Sequence, residues 1–172
     1  MEADEKQSVL AELASGQEVL LSALREITGD AAVRRPAPDR WSVLECVEHL
    51  VVSEDYLFSQ MVASHHSDRP IVNDRREALI LSRGLDRTVK VPSPEVGRPT
   101  GRFSTLAEAT ERFLASRKRT IDFVEGCDDD LRSKLTTHPI VGIVSCYETL
   151  LMMAVHPRRH ALQVEEIKAA LV

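Results

Sequence analysis

Apolar residues recur at helical spacing in four long segments of this chain of 172 residues. Positions three and four residues apart lie on one face of an α-helix, so each segment predicts a helix that buries one side. The last segment is apolar nearly all round in its first half, which predicts neighbours on most of its surface. The four segments are Ala3 to Ile27, Ser42 to Ala63, Ser104 to Gly126, and a stretch that begins between Ile143 and Cys146 and continues to Ala170.

The sequence also marks where these helices begin and end. The stretches 42–45 and 105–108 both have the capping-box pattern, in which a serine or threonine is followed three residues later by glutamate. Trp41 precedes the first box, where an apolar residue packs across the first helical turn. After the first helix, Thr28-Gly29-Asp30 predicts a stop, and residues 31–40, which contain two prolines, predict a connector.

Residues 64–103 are too many for an unstructured loop inside a compact domain. Asn73 or Asp74 caps a short predicted helix that continues through Leu81 and is closed by Gly84. The stretch VKVPSPEVGRPTGR that follows contains three prolines and two glycines. This composition predicts an irregular cover rather than a strand.

No run of alternating apolar and polar residues predicts a strand. Asp128–Asp130 lack the spacing of calcium ligands and predict a turn followed by a helix start. We therefore predict an all-α fold, a four-helix bundle with a long, partly irregular insertion between helices 2 and 3. The length suits one domain, residues 1–172.

Charge and composition narrow the function classes. The formal net charge of −5 argues against nucleic acid as the main partner, because nucleic-acid-binding proteins usually carry a basic footprint. No apolar run approaches the roughly 20 residues that span a bilayer, so we expect no membrane partner. The acidic, polar N-terminus is unlike a secretory signal, which predicts a cytoplasmic protein. Three cysteines without a close pair predict free thiols.

Two histidines, His156 and His160, lie one turn apart in the fourth predicted helix. Pro157 between them removes one backbone hydrogen bond, the one to the Met153 carbonyl, and predicts a kink. The bond from the His160 amide to the His156 carbonyl remains, so the two rings can still converge. At about 100° per residue, Gln163 lies on the same arc of the helix. The pattern fits either a pair of metal ligands or two core histidines with local hydrogen bonds.

His49 in the second predicted helix is the candidate that would complete a metal site. It lies off the centre of the apolar stripe, nearer to Glu45, Ser53 and Tyr56. The pattern therefore allows either an exposed side chain or a ligand at the edge of a cleft. The remaining histidines lie at a predicted helix end or in a loop, where we expect solvated side chains: His65, His66 and His138.

Three motifs together resemble the DinB-like family of bacterial four-helix bundles, also called YfiT-like metalloenzymes: RWSVLECVEHL, GRFSTLAEATERFLASR and HPRRHALQ. In that family one histidine of the second helix and two of the last helix bind one divalent metal ion. The resemblance implies that His49, His156 and His160 are the ligands. Some relatives transfer low-molecular-weight thiols to electrophiles, and dimers are frequent. The resemblance therefore also implies a thiol cofactor, a small-molecule substrate and a homodimer.

Three neutral imidazoles with an open position are typical of a catalytic zinc site, and nickel is the second candidate for such a nitrogen-rich ligand set. A divalent ion there makes a bound thiol or water nucleophilic at neutral pH. We expect a metal-dependent thiol S-transferase whose electrophile lies against Met152, Met153 and the 85–103 cover. Gln163 would orient a ligand and Tyr56 would donate a proton. The alternatives are an interhelical hydrogen bond for the glutamine and ordinary packing for the tyrosine.

Neighbouring side chains leave two other functions open. A metal-dependent hydrolase would need Glu45 or Glu48 as general base, and the sequence lacks the glutamate that adjoins a zinc histidine in the common metalloprotease signature. A bundle that binds a metal or small molecule without catalysis is the third reading. Arg159 is expected to pair with Glu166 or Glu48, and Cys46 is expected to be a small buried thiol.

Overall fold

A computed structural model describes residues 1 and 3–171, and Glu2 and Val172 lie outside the described residues. The four predicted long helices are present as α1, α3, α5 and α6, which confirms the all-α four-helix bundle. In the described part of the chain, no helix is both long and apolar enough to cross a membrane. The long helices are α1 (Ala3–Ala23), α3 (Val43–Val62), α5 (Leu106–Gly126) and α6 (Cys146–Leu171).

The predicted connector after α1 contains a short helix that the sequence analysis missed. α1 ends at Ala23 rather than at Ile27, and α2 covers Gly29–Val33. The Thr28 side chain accepts a hydrogen bond from the Ala31 amide, so the stretch predicted only to stop a helix also starts one. The two prolines follow α2, and residues 34–42 then lead to α3.

The first predicted capping box is confirmed and the second is formed in a different way. At α3 the Glu45 amide donates to the Ser42 hydroxyl at 3.2 Å, and the Ser42 amide donates to the Glu45 carboxylate at 2.8 Å. At α5 the Glu108 amide donates to the Thr105 hydroxyl at 3.2 Å. The carboxylate of Glu108 accepts instead from the amide of Ser104, one residue before the cap.

The insertion between α3 and α5 contains β1 (His65–His66), α4 (Asp74–Leu85) and a single 3₁₀ turn at Glu95–Gly97. Asn73 caps α4 by accepting from the Arg76 amide, as predicted. Gly84 does not end this helix. A Cβ at position 84 would lie 2.2 Å from Cγ2 of Val155, so the glycine instead permits close packing of α4 on α6.

A small antiparallel sheet was not predicted. Its order is β1, β2 (Lys134–His138) and β3 (Gly142–Ser145), with Leu135 opposite both His65 and Ser145. The strands have two to five residues, too few for an alternating pattern to stand out. The stretch 128–130 leads into β2 and not into a helix. There the Asp130 carboxylate accepts from the Arg132 amide and the Ser133 hydroxyl, which forms a turn.

A buried ion pair separates two apolar clusters along α3 and α5. One cluster contains Leu50 and Phe113, and the other contains Leu57 and Val124. Between them on α5 lies Arg117, which is 0% exposed. Its Nε lies 2.9 Å from Oε1 of Glu54, and its Nη2 donates to Oε2 at 2.9 Å. Burial raises the pKa of the Glu54 carboxyl, and the Arg117 guanidinium opposes that rise.

The same guanidinium connects all four long helices. Nη1 of Arg117 donates to the Leu13 carbonyl of α1 at 2.9 Å, and Nη2 donates to the Met153 carbonyl of α6 at 2.7 Å. Met153 is four residues before Pro157, which has no amide to donate to that carbonyl. Pro157 therefore leaves an acceptor inside α6, and a buried arginine of α5 occupies it.

We predict that Arg117→Met destabilises the protein by about 3–5 kcal/mol, because it leaves the Glu54 carboxylate buried without its partner. The double variant Arg117→Met/Glu54→Leu should recover part of that loss, since it removes both charges but leaves the carbonyls of Leu13 and Met153 without this donor. Urea unfolding followed by circular dichroism measures both effects. Arg112→Met is the matched control on α5, because its ion pair with Asp55 is at least partly exposed on both sides and worth less than about 1 kcal/mol. Equal losses in the single and double variants would contradict the prediction.

Candidate metal centre

The three histidines singled out in the sequence meet in the structure. His49 lies on α3, and His156 and His160 lie on α6. Nε2 of His156 lies 3.0 Å from Nε2 of His49 and 3.0 Å from Nε2 of His160. One donor atom from each of the three lies within 4.8 Å of the others. α6 continues through Pro157, so the proline does not prevent the rings from converging.

Burial keeps these imidazoles neutral. His49 and His160 are 6% and 5% exposed. Desolvation lowers the pKa of His49, although a hydrogen bond to the Gly97 carbonyl opposes the shift. Desolvation, together with the neighbouring rings, lowers the pKa of His156 and of His160 well below the usual value. Neutral imidazole is the form of histidine that binds a metal ion.

The proton positions in the cluster leave a contact that hydrogen bonding cannot satisfy. Nδ1 of His49 lies 2.5 Å from the Gly97 carbonyl, which only accepts, so Nδ1 carries the proton and Nε2 presents a lone pair. Nε2 of His156 faces ring nitrogens on two sides. One proton there satisfies only one of the two contacts. A cation bound by all three lone pairs satisfies both, and nitrogens about 2.0–2.1 Å from a tetrahedral ion lie about 3.3 Å apart.

The insertion holds His49 in its orientation. Besides accepting from Nδ1, Gly97 lies so close that a Cβ at position 97 would be 3.3 Å from Cε1 of His49. The next residues of the cover are tied to α3 by Glu48, which is 1% exposed. Its carboxylate accepts from the amides of Thr100 at 2.6 Å and Gly101 at 3.1 Å. Adjacent residues of α3 thus bind both ends of one short stretch of the cover, residues 97–101.

Two side chains near the cluster have simple roles. Trp41 packs against the rings, with its centroid 4.9 Å from that of His49 and 6.4 Å from that of His160. Cys46 is fully buried in the apolar cluster, and burial raises the pKa of its thiol to about 12. The cysteine is therefore the small buried thiol that was expected and not a further metal ligand.

The cluster opens into a cavity of about 570 Å³ between the bundle, the insertion and the β2–β3 hairpin. Both residues predicted to contact substrate, Gln163 and Tyr56, line it. Oε1 of Gln163 accepts from Nη1 of Arg87 at 3.2 Å. The side-chain oxygen of the glutamine is therefore engaged, and its NH₂ group remains to donate.

Two expectations about the cavity wall were wrong. Met152 lines the cavity, but Met153 is buried in the core with its side chain among apolar residues. Arg159 does not pair with Glu166 or Glu48. It donates to the carbonyls of residues 86 and 89. Glu166 pairs instead with Arg87, whose Nε lies 2.7 Å from Oε1 of the glutamate. The sequence pattern of α6 alone could not show that the cover would supply these partners.

His138 is a cavity residue that the sequence analysis missed. The end of β2 and the turn that follows bring His138 and Ile140 to the cavity wall, opposite to the expectation of a solvated loop histidine. A recognisable β-hairpin around residues 138–142 would have been the signal, but strands this short do not give one.

Comparisons with known proteins agree with this architecture. No curated protein sequence matches the chain with significance. Its fold is also found in solved structures. YfiT from Bacillus subtilis, described as a probable metal-dependent hydrolase with an unusual four-helix bundle topology, has a TM-score of 0.63 at 14% identity. The match covers 99% of this chain and 90% of YfiT. TT2238, a four-helix bundle protein, has a TM-score of 0.56 at 16% identity over 94% of this chain and 98% of its own.

The family assignment rests on the sequence itself and covers nearly the whole chain. A family model matches residues 12–164, a range that contains all three clustered histidines, α3, the insertion and most of α6. The resemblance seen in the three motifs is therefore confirmed, and the chain belongs to the DinB superfamily.

Proposed function

We propose that His49, His156 and His160 bind one divalent metal ion and that the protein transfers a low-molecular-weight thiol to a small electrophile. The observation that carries the proposal is the convergence of three neutral imidazoles, two buried and one partly buried, with a contact that protons cannot satisfy. Nitrogen ligands favour zinc, with nickel second. When bound, such an ion supplies positive charge that favours the deprotonated form of a thiol or water beside it.

The neighbouring carboxylates favour a thiol over water as the nucleophile. Hydrolysis needs a general base within hydrogen-bond reach of the attacking water. Glu45 caps α3 and pairs with Arg35, and Glu48 accepts from the amides of Thr100 and Gly101. Both are therefore engaged. A thiol needs less assistance, because its ordinary pKa of about 8.5 is much closer to neutrality than that of water.

The predicted contact residues fit substrate positioning. Gln163 is held by Arg87, which is itself fixed by a two-point ion pair with Glu166 at 2.7 Å for both contacts. In the proposal the NH₂ group of Gln163 donates to a bound ligand, and Tyr56 donates from the α3 side of the cavity. The cavity of about 570 Å³ is within the range that holds a drug-sized molecule.

Metal-dependent hydrolysis is the second candidate function. It is favoured by the description of YfiT, which shares the fold, as a probable metal-dependent hydrolase. The same three histidines would bind the ion. A third possibility is a protein that binds the metal ion without catalysis. It would have the same metal affinity as an enzyme but would turn over no substrate.

Trp41 is the sole tryptophan of the chain and gives a direct measure of metal binding. We predict that Ni²⁺ quenches its fluorescence with one-to-one stoichiometry, because the indole packs against two of the proposed ligands. His49→Ala and His160→Ala should each weaken binding by more than about 100-fold, beyond the loss expected for an outer partner. His65→Ala is the matched control, since it removes an exposed histidine of β1. Equal affinities in all three variants would refute the ligand assignment.

Glu48→Gln should weaken metal binding by about 10-fold while leaving the fold intact. The NH₂ group of the new glutamine would face the backbone N–H of Gly101, so that two donors would oppose each other. This loosens residues 97–101 of the cover, whose Gly97 carbonyl orients His49. The Trp41 titration measures the affinity. Glu108→Gln is the control, because that carboxylate also accepts from a backbone amide but belongs to an exposed residue of α5. An affinity equal to wild type would show that the cover does not support the ligand.

A paired activity assay separates the candidate functions. We expect the Zn²⁺-loaded protein to accelerate consumption of N-acetylcysteine by 1-chloro-2,4-dinitrobenzene at least about 10-fold, and chelation or His160→Ala should abolish the acceleration. Metal-dependent cleavage of 4-nitrophenyl acetate without thiol would instead favour hydrolysis. Metal binding in the fluorescence titration without either reaction would favour the binding role.

A further inference from the structure

The hairpin between β2 and β3 fixes the proton position of a histidine in the cavity wall. Nδ1 of His138 accepts from the amides of Ile140 at 3.2 Å and Val141 at 3.4 Å. A nitrogen that accepts from amides carries no proton, so the neutral ring has its proton on Nε2. The Nδ1 edge faces the hairpin's own backbone. The Nε2–H edge is the one that remains for the cavity that this residue lines.

Two segments of the wall of the same cavity, the hairpin and the cover, carry exposed apolar side chains. On the hairpin, Ile140 and Val141 are 53% and 51% exposed. On the cover, Val89, Val91 and Val96 are also exposed. All five line the cavity. Exposed apolar side chains grouped around a cavity mark a ligand-binding site more often than scattered ones do.

We propose that His138 is the hydrogen-bond donor for an acceptor oxygen of the substrate, and that the substrate is an apolar electrophile bearing a carbonyl or similar oxygen. The inference rests on the proposed function of this site and specifies its substrate class. The exposed apolar side chains of the hairpin and of the cover bind the body of the molecule, and Nε2–H of His138 donates to its oxygen.

A neutral donor suits this role. Burial lowers the pKa of His138, so the ring stays neutral and Nε2–H remains available at neutral pH without the cost of a buried charge. His138 is outside the three-histidine cluster, which leaves its ring free of the proposed metal. A donor placed beside apolar side chains discriminates between ligands that have and lack the acceptor, because an unmatched buried donor costs free energy.

Binding of a matched probe pair to the metal-free protein tests the inference without any reaction. Acetophenone and ethylbenzene have the same apolar body and differ in the carbonyl oxygen. We expect acetophenone to bind about 3- to 10-fold more tightly, as one net hydrogen bond predicts. Its addition should also shift the ¹⁵N resonance of Nε2 in His138, assigned by nuclear magnetic resonance.

Two substitutions separate the two edges of the ring. His138→Asn retains an acceptor for the amides of the hairpin tip but lacks the reach of Nε2–H, so the preference for acetophenone should disappear. His138→Gln retains a donor at the reach of Nε2, so the preference should persist. Equal preferences in the wild type and His138→Asn would overturn the proposal. An Nδ1–H tautomer of His138 in the spectrum of the wild-type protein would also overturn the proposal. That measurement does not depend on a variant that folds.

The outcome is independent of the proposed reaction. If the protein binds no metal or shows no metal-dependent thiol transfer, the proposed function fails while the carbonyl preference can still be measured. If thiol transfer is found but the preference is absent, the function stands and His138 has no part in recognising the substrate.

Discussion

The Met153 carbonyl is the acceptor on which the histidine-bearing part of α6 depends. Pro157 deprives it of its partner within the helix, and the buried guanidinium of Arg117 replaces that partner from α5. Because the same guanidinium also bonds α1 and α3, the turn that carries His156 is fixed against the rest of the bundle. A proline that would usually weaken a helix here specifies how α6 docks, and the docking brings its histidines towards α3.

The proposed centre is assembled from elements with different kinds of support. His156 and His160 depend on one continuous helix, whereas His49 depends on the cover that passes over α3. The cover has little regular structure of its own, and Glu48 compensates by binding two of its amides from a buried position. The insertion is therefore part of the site rather than an appendage, since it sets the tautomer of His49 and closes one side of the cavity.

Sequence reasoning recovered the features that repeat within one helix and missed those made by distant segments. Helical spacing, the capping box at Ser42 and the one-turn pair on α6 are local, so they could be found from the chain alone. For His49 the apolar stripe was ambiguous, and only the family motifs selected it. The place of His138 depends on a hairpin with strands of four and five residues, and Arg159 finds its partners on the cover. Neither the position of His138 nor the contacts of Arg159 produce a periodic pattern in the sequence.

The bundle and the segments added to it contribute differently to the chemistry of the site. YfiT and the present chain share the bundle at 14% identity, and a shared bundle does not by itself choose a substrate. In the present chain the bundle brings three histidines together, which is the proposed metal site. In our proposal that choice lies in the walls added to the bundle: the cover with its valines, the hairpin tip with His138, and the amide of Gln163 held by Arg87. Since both nearby glutamates serve backbone amides, the walls provide donors and apolar surface but no free base from these two residues. This is the reason for proposing a nucleophile that loses its proton readily, as a thiol does, rather than water.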